Sequence, residues 1–336
     1  MTLQFFLLAA GLVLILLGAN WLVDGASSIA KKTGMSEFII GLTIVGIGTS
    51  TPEMVVSFIS SIQGKADMAI GNVVGSNIFN TIVILGITAL ICPLTISKEN
   101  LKRDLPMNIL VTGLLILLGM KGSIFGVGSD TLTRIDGLLM LLILAGYFRI
   151  LMKKPKAGTD ASAEQTEDDI KTFGTGKSIA LIIIGIGSLV FGGRIFVDSA
   201  TAIAVFYNMS EKFIAITIMA AGTSLPELAT SAVAAMKGRG QLALGNVLGS
   251  NIFNILLILG GIALLLASFA LAFWINQVTD SAIIGFGALA GGILLLAIVF
   301  WFMRRQWVLQ PIARLMVRIF LETDQTAEKT PSTPQQ

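Results

Sequence analysis

Apolar residues run along this chain in long blocks rather than in alternation. Nine blocks, at about 3 to 23, 38 to 62, 68 to 92, 105 to 120, 132 to 151, 178 to 198, 212 to 236, 242 to 272 and 281 to 303, are dominated by Leu, Ile, Val, Ala, Phe and Gly. Most reach the roughly 20 residues that a helix needs to cross a bilayer, and none shows the period of a barrel strand. The predicted fold class is an all-α membrane protein. A tenth block, 306 to 321, is weaker, because Gln306, Gln310, Pro311, Arg314 and Arg318 interrupt it, so it spans poorly or lies on the surface. Lys153 to Lys177 is rich in Lys, Glu, Asp, Thr and Gly and reads as a solvated linker. It divides the chain into an N-terminal unit, 1–152, and a C-terminal unit, 178–321, followed by a polar tail, 322–336, expected to be disordered. The block from Leu3 to Val23 has no basic region before it and is too long for a signal sequence, so it is expected to be a retained first span.

The two units repeat one another. Residues 49 to 80 align without a gap to residues 223 to 254, an offset of 174, with identity at 16 of 32 positions. Asp24 and Asp198, and Met35-Ser36-Glu37 and Met209-Ser210-Glu211, match at the same offset. Five blocks before the linker is an odd number, so the second unit is expected to enter the membrane upside down, giving ten helices in two inverted five-helix repeats. Basic residues set the orientation. With the N-terminus outside, the inner loops hold Lys31, Lys32, Lys98, Lys102, Arg103, the linker lysines, Lys237, Arg239, Arg304 and Arg305, while the outer loops hold only Lys65, Lys121, Arg134 and Lys212.

Composition sharpens this picture. Hydrophobic residues make up 54% of the chain and charged residues 13%, and the 36 glycines suit helices packed closely in lipid. There is no histidine and the one cysteine, Cys92, has no partner for an intramolecular disulfide, which removes thiolate metal sites and Ser-His-Asp catalysis. A net charge of +3 reports loop orientation rather than a nucleic-acid partner, and the partner implied is the lipid bilayer.

The repeated blocks carry polar residues that a span does not ordinarily tolerate. Thr49 and Glu53 are four residues apart and Ser50 and Glu53 three apart, so hydroxyl and carboxylate share a helix face. Pro52 lacks an N–H and crowds the carbonyl of Gly48, so the helix is expected to kink or unwind there and free that oxygen. Thr223, Ser224, Pro226 and Glu227 repeat the arrangement around the carbonyl of Gly222. In the next block Asn72, Ser76 and Asn80 recur every four residues, as do Asn246, Ser250 and Asn254. Gly71 to Gly75 and Gly245 to Gly249 are each GxxxG, a pattern that by itself means helix packing. Single hydroxyls in spans commonly bond their own backbone, and a lone proline is a kink. An ionisable group near the centre of a span costs several kcal/mol, which makes Glu53 and Glu227 functional candidates. If the four helices meet, the site is a set of hard oxygens with a formal charge of −2, which suits Ca2+, a cation taking roughly 6 to 8 oxygen ligands, and also Na+. Asp24 and Asp198 lie at span ends, where Arg194 and Asp198 read as an ion pair one turn apart. Glu37 and Glu211 read as first-turn charges.

At these motifs the sequence resembles the calcium/cation antiporter superfamily, and most closely its prokaryotic sodium/calcium exchangers. The residues carrying the resemblance are Gly48-Thr49-Ser50-Thr51-Pro52-Glu53 with Gly71 to Asn77, and Gly222-Thr223-Ser224-Leu225-Pro226-Glu227 with Gly245 to Asn251. The resemblance implies ten spans, Glu53 and Glu227 as shared Ca2+ and Na+ ligands, and Thr49, Ser50, Ser76, Asn80, Thr223, Ser224, Ser250 and Asn254 completing the site. Backbone carbonyls near Gly46 and Ala220 would add sodium ligands. Some members carry aspartate at the position of Asn80 or Asn254, where this chain has asparagine at both. The expected function is a secondary antiporter of the prokaryotic cytoplasmic membrane, exchanging Ca2+ for Na+ by alternating access and needing no cofactor. A Ca2+/H+ antiporter and an uncoupled cation channel are the rival readings. An intramembrane enzyme is disfavoured, since no nucleophile–base pair or His-containing metal motif is present.

Overall fold

The computed structural model describes residues 1–126, 130–152, 172–210, 218, 220–264, 277 and 279. The expected ninth and tenth spans, the tail and most of the linker lie outside the described residues. Among those described, the secondary structure is helical throughout.

Helix α1, Thr2–Thr33, and helix α10, Thr175–Phe206, have 32 residues each. At 1.5 Å per residue each is about 48 Å long, well beyond the hydrocarbon core. Both overrun the predicted blocks: α1 continues to Gly34, which stops it at φ 62°, and α10 begins inside the expected linker and runs on to Phe206. Small and polar residues such as Ser27, Ser28 and Ser199 are buried in these extensions, where hydropathy alone draws no helix.

The two long helices pack antiparallel along a seam of glycines. A Cβ on Gly11, Gly18 or Gly25 would stand 2.7–2.9 Å from backbone atoms of Gly192, Phe196, Gly185, Leu189 or Ser178, and Gly185 and Gly192 are closed off in the same way by α1. These glycines recur every seven residues, so one continuous face of each helix lets the other backbone approach.

After α1, Ser36 caps α2, Glu37–Ile40, by accepting Ile39 N at 3.3 Å. The helix passes through a π turn, Gly41–Val45, into α3, Gly46–Thr49, and breaks at Ser50. Helix α4, Thr51–Ile62, follows at a bend of 44°. Gly64, at φ 74°, turns the chain into α5, Ala66–Phe79, which continues through a π turn, Asn80–Ile84, into α6, Leu85–Ile91. A π turn, Asn100–Asp104, leads into α7, Leu105–Gly119; then come α8, Lys121–Phe125, and α9, Arg134–Leu151, opened by a Thr133–Asp136 capping box. The second unit repeats the hairpin. Helix α11, Ala220–Thr223, breaks at Ser224 into α12, Leu225–Met236; Gly238, at φ 71°, turns the chain into α13, Gly240–Phe253, and its π turn, Asn254–Leu259.

Four helices among the described residues are long and apolar enough to cross a membrane, Thr2–Thr33, Ala66–Ile91, Thr175–Phe206 and Gly240–Leu264, and the bent pair Glu37–Thr49 with Thr51–Ile62 makes a fifth. Helices α7 and α9 occupy the predicted fourth and fifth blocks. Helix α13 is the central element, buried along nearly its whole length, whereas the other three span-length helices leave most of their residues at least partly exposed. Glycines again permit the contact, since a Cβ on Gly245 or Gly249 would meet the carbonyl oxygens of Phe38 and Leu42 at 2.2 Å. The GxxxG of α13 is therefore a packing device, as its pattern suggested.

Candidate cation site

The two breaks face each other beside α13. Each serine leaves the helical conformation, Ser50 at φ −77°, ψ 7° and Ser224 at φ −92°, ψ 8°. Pro52 and Pro226 then sit in the first turn of the next helix, where the missing N–H leaves no bond unmade. The proline therefore acts as a start signal for the second half-helix, and the break falls at Ser50 rather than at Gly48. Glu53 and Glu227 ride in the first turns of α4 and α12, and both are 0% exposed.

Pairing across the break is reciprocal. Ser50 Oγ donates to Glu227 Oε1 at 3.0 Å, and Ser224 Oγ donates to Glu53 Oε1 at 3.0 Å. The other oxygen of each carboxylate, Oε2, is buried and accepts no hydrogen bond. None of the ion pairs found among the described residues includes Glu53 or Glu227. Two carboxylates held in a protein interior without a counter-charge are costly, several kcal/mol each, unless a cation or protons offset them.

Helices α5 and α13 supply the remaining oxygens. Asn80 and Asn254 are 0% exposed, and the Oδ1 of each is buried without a hydrogen-bond partner. Four acceptor-only oxygens, two charged and two amide, are thus left unpaired at matching positions of the two halves. Thr49 Oγ1 lies 3.1 Å from both Val45 O and Asn246 Oδ1 and 3.5 Å from Ser250 Oγ, and Ser250 Oγ donates to Gly46 O at 3.3 Å. This brings Thr49, Ser250 and the Gly46 carbonyl together. Ser76 donates to Val73 O at 3.0 Å and accepts from Asn254 Nδ2 at 3.1 Å. Thr223 differs from its counterpart Thr49, since its Oγ1 is buried with no partner. Ala220 opens α11 at the offset of Gly46.

Sequence reasoning placed Asn72 and Asn246 in the polar stripe but missed their partners Ser57 and Ser231, which fasten the arrangement. Asn72 Nδ2 reaches Ser57 Oγ at 2.9 Å and the Glu53 carbonyl at 3.2 Å; Asn246 Nδ2 reaches Ser231 Oγ at 2.9 Å and the Glu227 carbonyl at 3.4 Å. Each brace locks a glutamate-bearing half-helix to the polar helix beside it. Ser57 and Ser231 carried a signal, being identical at the repeat offset while most of their neighbours differ. Of the acidic residues left outside the site, Asp198 pairs with Arg194 at 3.8 Å on an exposed face, Asp24 pairs with Lys237 at 2.6 Å, and Glu37 lies 3.7 Å from Arg239 in the first turn of α2.

Paired half-helices, facing carboxylates and a doubled GNxxGSN stripe are features that comparison with known proteins can test. The sodium/calcium exchanger protein family matches residues 3–153 and 177–321. The chain belongs to the sodium/calcium exchanger family. Among its relatives, the sodium/calcium exchanger MaX1 of Methanosarcina acetivorans is 36% identical over 287 residues, covering 77% of this chain and 82% of that protein. The inner membrane protein YrbG of Escherichia coli is 36% identical over 260 residues, covering 76% and 77%. A solved structure of the sodium-calcium exchanger NCX_Mj superposes with a TM-score of 0.66 at 30% identity over 88% of this chain and 98% of that one. Membership, together with the span-length helices, makes the chain an integral membrane protein and a transporter rather than an enzyme.

Proposed function

We propose that this exchanger is a secondary antiporter that carries Ca2+ against Na+ through one pocket exposed alternately to the two sides of the cytoplasmic membrane. Glu53 and Glu227 bind either ion, with Thr49, Ser50, Ser76, Asn80, Thr223, Ser224, Ser250 and Asn254 supplying neutral oxygens. The observation that carries this reading is the set of buried, unpartnered oxygens on Glu53, Glu227, Asn80 and Asn254. Donor groups are absent from that set, so an anion finds nothing to bind. A hard cation satisfies all four atoms at once. Calcium takes more oxygens than these four, and Thr223 Oγ1, also unpaired, and the Gly46 carbonyl lie in the same motifs.

Two inverted five-span repeats are part of the proposal. Support comes from the antiparallel seam of α1 and α10, the first helices of the two units, and from the reciprocal Ser–Glu bonds. For the N-terminus outside and the linker inside, support comes from the basic residues. Lys237 and Arg239 pair with Asp24 and Glu37 close to Lys31 and Lys32, and Phe173, at the end of the linker, donates its backbone N–H to Ser28 Oγ at 2.9 Å at that same end.

A Ca2+/H+ antiporter remains the second reading, because each glutamate keeps one oxygen on a serine hydroxyl and one free, and a proton on the free oxygen also satisfies it. Uptake of radiolabelled Ca2+ into proteoliposomes under separately imposed Na+ and H+ gradients tests both. Uptake driven by Na+ alone fits the first reading and uptake driven by H+ alone the second. Flux that follows the Ca2+ gradient regardless of either overturns both in favour of a channel.

A further inference from the structure

Asn80 and Asn254 face the site with their amide oxygens, yet an amide has two ends of similar shape. Turned over, each would present an NH2 that repels a cation. Which end faces inward is decided by hydrogen bonds from side chains outside the ligand set. Thr81 Oγ1 donates to the helix carbonyl of Asn77 at 2.8 Å, and a carbonyl only accepts, so this bond has a fixed direction. With its single proton committed, Thr81 Oγ1 accepts from Asn251 Nδ2 at 2.9 Å. Asn251 must then turn its Oδ1 to Asn80, where it accepts from Asn80 Nδ2 at 3.1 Å. Only the oxygen of Asn80 is left for the site.

A second chain orients Asn254. Asn77 Nδ2 donates to the backbone carbonyl of Asn251 at 3.1 Å, so Asn77 Oδ1 faces Asn254 and accepts from its Nδ2 at 3.0 Å. Ser76, whose proton goes to Val73 O, accepts from the same Nδ2. Both chains start at a backbone carbonyl and end on an inward oxygen. They cross between the repeats, so each half orients the other's amide. One link is not duplicated: Ile255 stands at the repeat offset of Thr81, so Asn251 is oriented by a hydroxyl where Asn77 is oriented by a backbone carbonyl.

We propose that Asn77, Asn251 and Thr81 are positioning residues of the cation site, holding the Asn80 and Asn254 amides oxygen-inward without touching the ion. This inference rests on the antiporter reading above. The decisive variant is Thr81→Val, which keeps the shape and removes the acceptor, at a side chain that is itself exposed. In proteoliposomes its KM for Ca2+ is expected to rise about threefold to tenfold, the worth of one hydrogen bond, with the maximal rate within about twofold of wild type. Thr81→Ser, which keeps the hydroxyl, restores the wild-type KM. Asn80→Asp supplies a readout that a merely structural role would not move. A carboxylate offers no donor to the Asn251 oxygen that Thr81 holds toward it, so Thr81→Val in the Asn80→Asp background brings no further rise in KM and frees Asn251 to turn its NH2 to the carboxylate. Thr81→Ala makes the same deletion should valine not be accommodated. An unchanged KM in Thr81→Val, or the same cost with and without Asn80→Asp, overturns the proposal. Failure of the wild type to take up Ca2+ under either gradient overturns the functional reading itself, whereas normal uptake that Glu53→Gln abolishes leaves that reading standing while the positioning role is judged.

Discussion

Glu53 and Glu227 carry all of the formal charge found at the breaks, and each is half of it. Two unit charges about 4 Å apart interact by about 4 kcal/mol at the effective dielectric of a protein, far more than a hydroxyl contributes. Glu53→Gln and Glu227→Gln are therefore expected to lower Ca2+ exchange about a hundredfold or more at normal expression, and Ser50→Ala or Ser224→Ala far less. Near-normal transport by either glutamine variant would remove these residues from the site. Protons compete in the same way, since a protonated carboxyl cannot neutralise a cation; apparent Ca2+ affinity, measured by uptake at graded Ca2+, falls as the medium is acidified. Asn254→Asp takes the formal charge from −2 to −3 next to Ser76 and Asn77. If the new carboxylate stays ionised, Ca2+ and Na+ bind more tightly and release slows; if it holds a proton, transport becomes more sensitive to acid. No change in affinity, competition or pH dependence would place Asn254 outside the ion's reach.

At the scale of elements, the long helices depend on bare backbone at their seam. Gly185 has a Leu22 N and a Gly18 O at 2.7 and 2.8 Å from where its Cβ would stand, whereas around Gly187, two residues on, no described atom lies within 4 Å. Gly185→Ala is expected to force α1 and α10 apart at a cost of about 1–3 kcal/mol, lowering the melting temperature in detergent, while Gly187→Ala leaves it near wild type. Equal melting of the two would mean that the seam is not close-packed. The blocks themselves were legible from hydropathy because lipid requires apolar side chains. The extensions of α1 to Thr33 and of α10 to Phe206 were not, because small polar residues there are buried against protein, a fact about neighbours rather than about composition. The π turns at Gly41–Val45, Asn80–Ile84 and Asn254–Leu259 were equally hidden. The last two begin at Asn80 and Asn254.

For the whole molecule the proposal is two units meeting face to face, with the linker on the inner side. A reporter fused after Lys177 is expected to read as cytoplasmic. One fused after Gln336 reads outside if 306 to 321 spans, and inside if that segment lies along the inner surface with Arg304, Arg305, Arg314 and Arg318 on the basic side. An external linker would overturn the orientation.

The duplicated motif, offset by 174 residues, determined by itself that two similar units each carry a glutamate and a file of polar side chains inside an apolar block, a costly placement that marks a functional candidate. The prolines likewise announced helix boundaries, since a residue without an N–H is tolerated in the first turn of a helix and not in its interior. Only the tertiary structure decided which oxygens remain free. Ser50 could have bonded its own helix, and instead bonds the glutamate of the other unit; Asn77 and Asn251 likewise bond across the units, to Asn254 and Asn80. A hydrogen-bonding side chain is defined in sequence by what it can pair with. Its partner is settled by distance, and distances of 3 Å between residues more than 170 apart exist only once the two halves have packed.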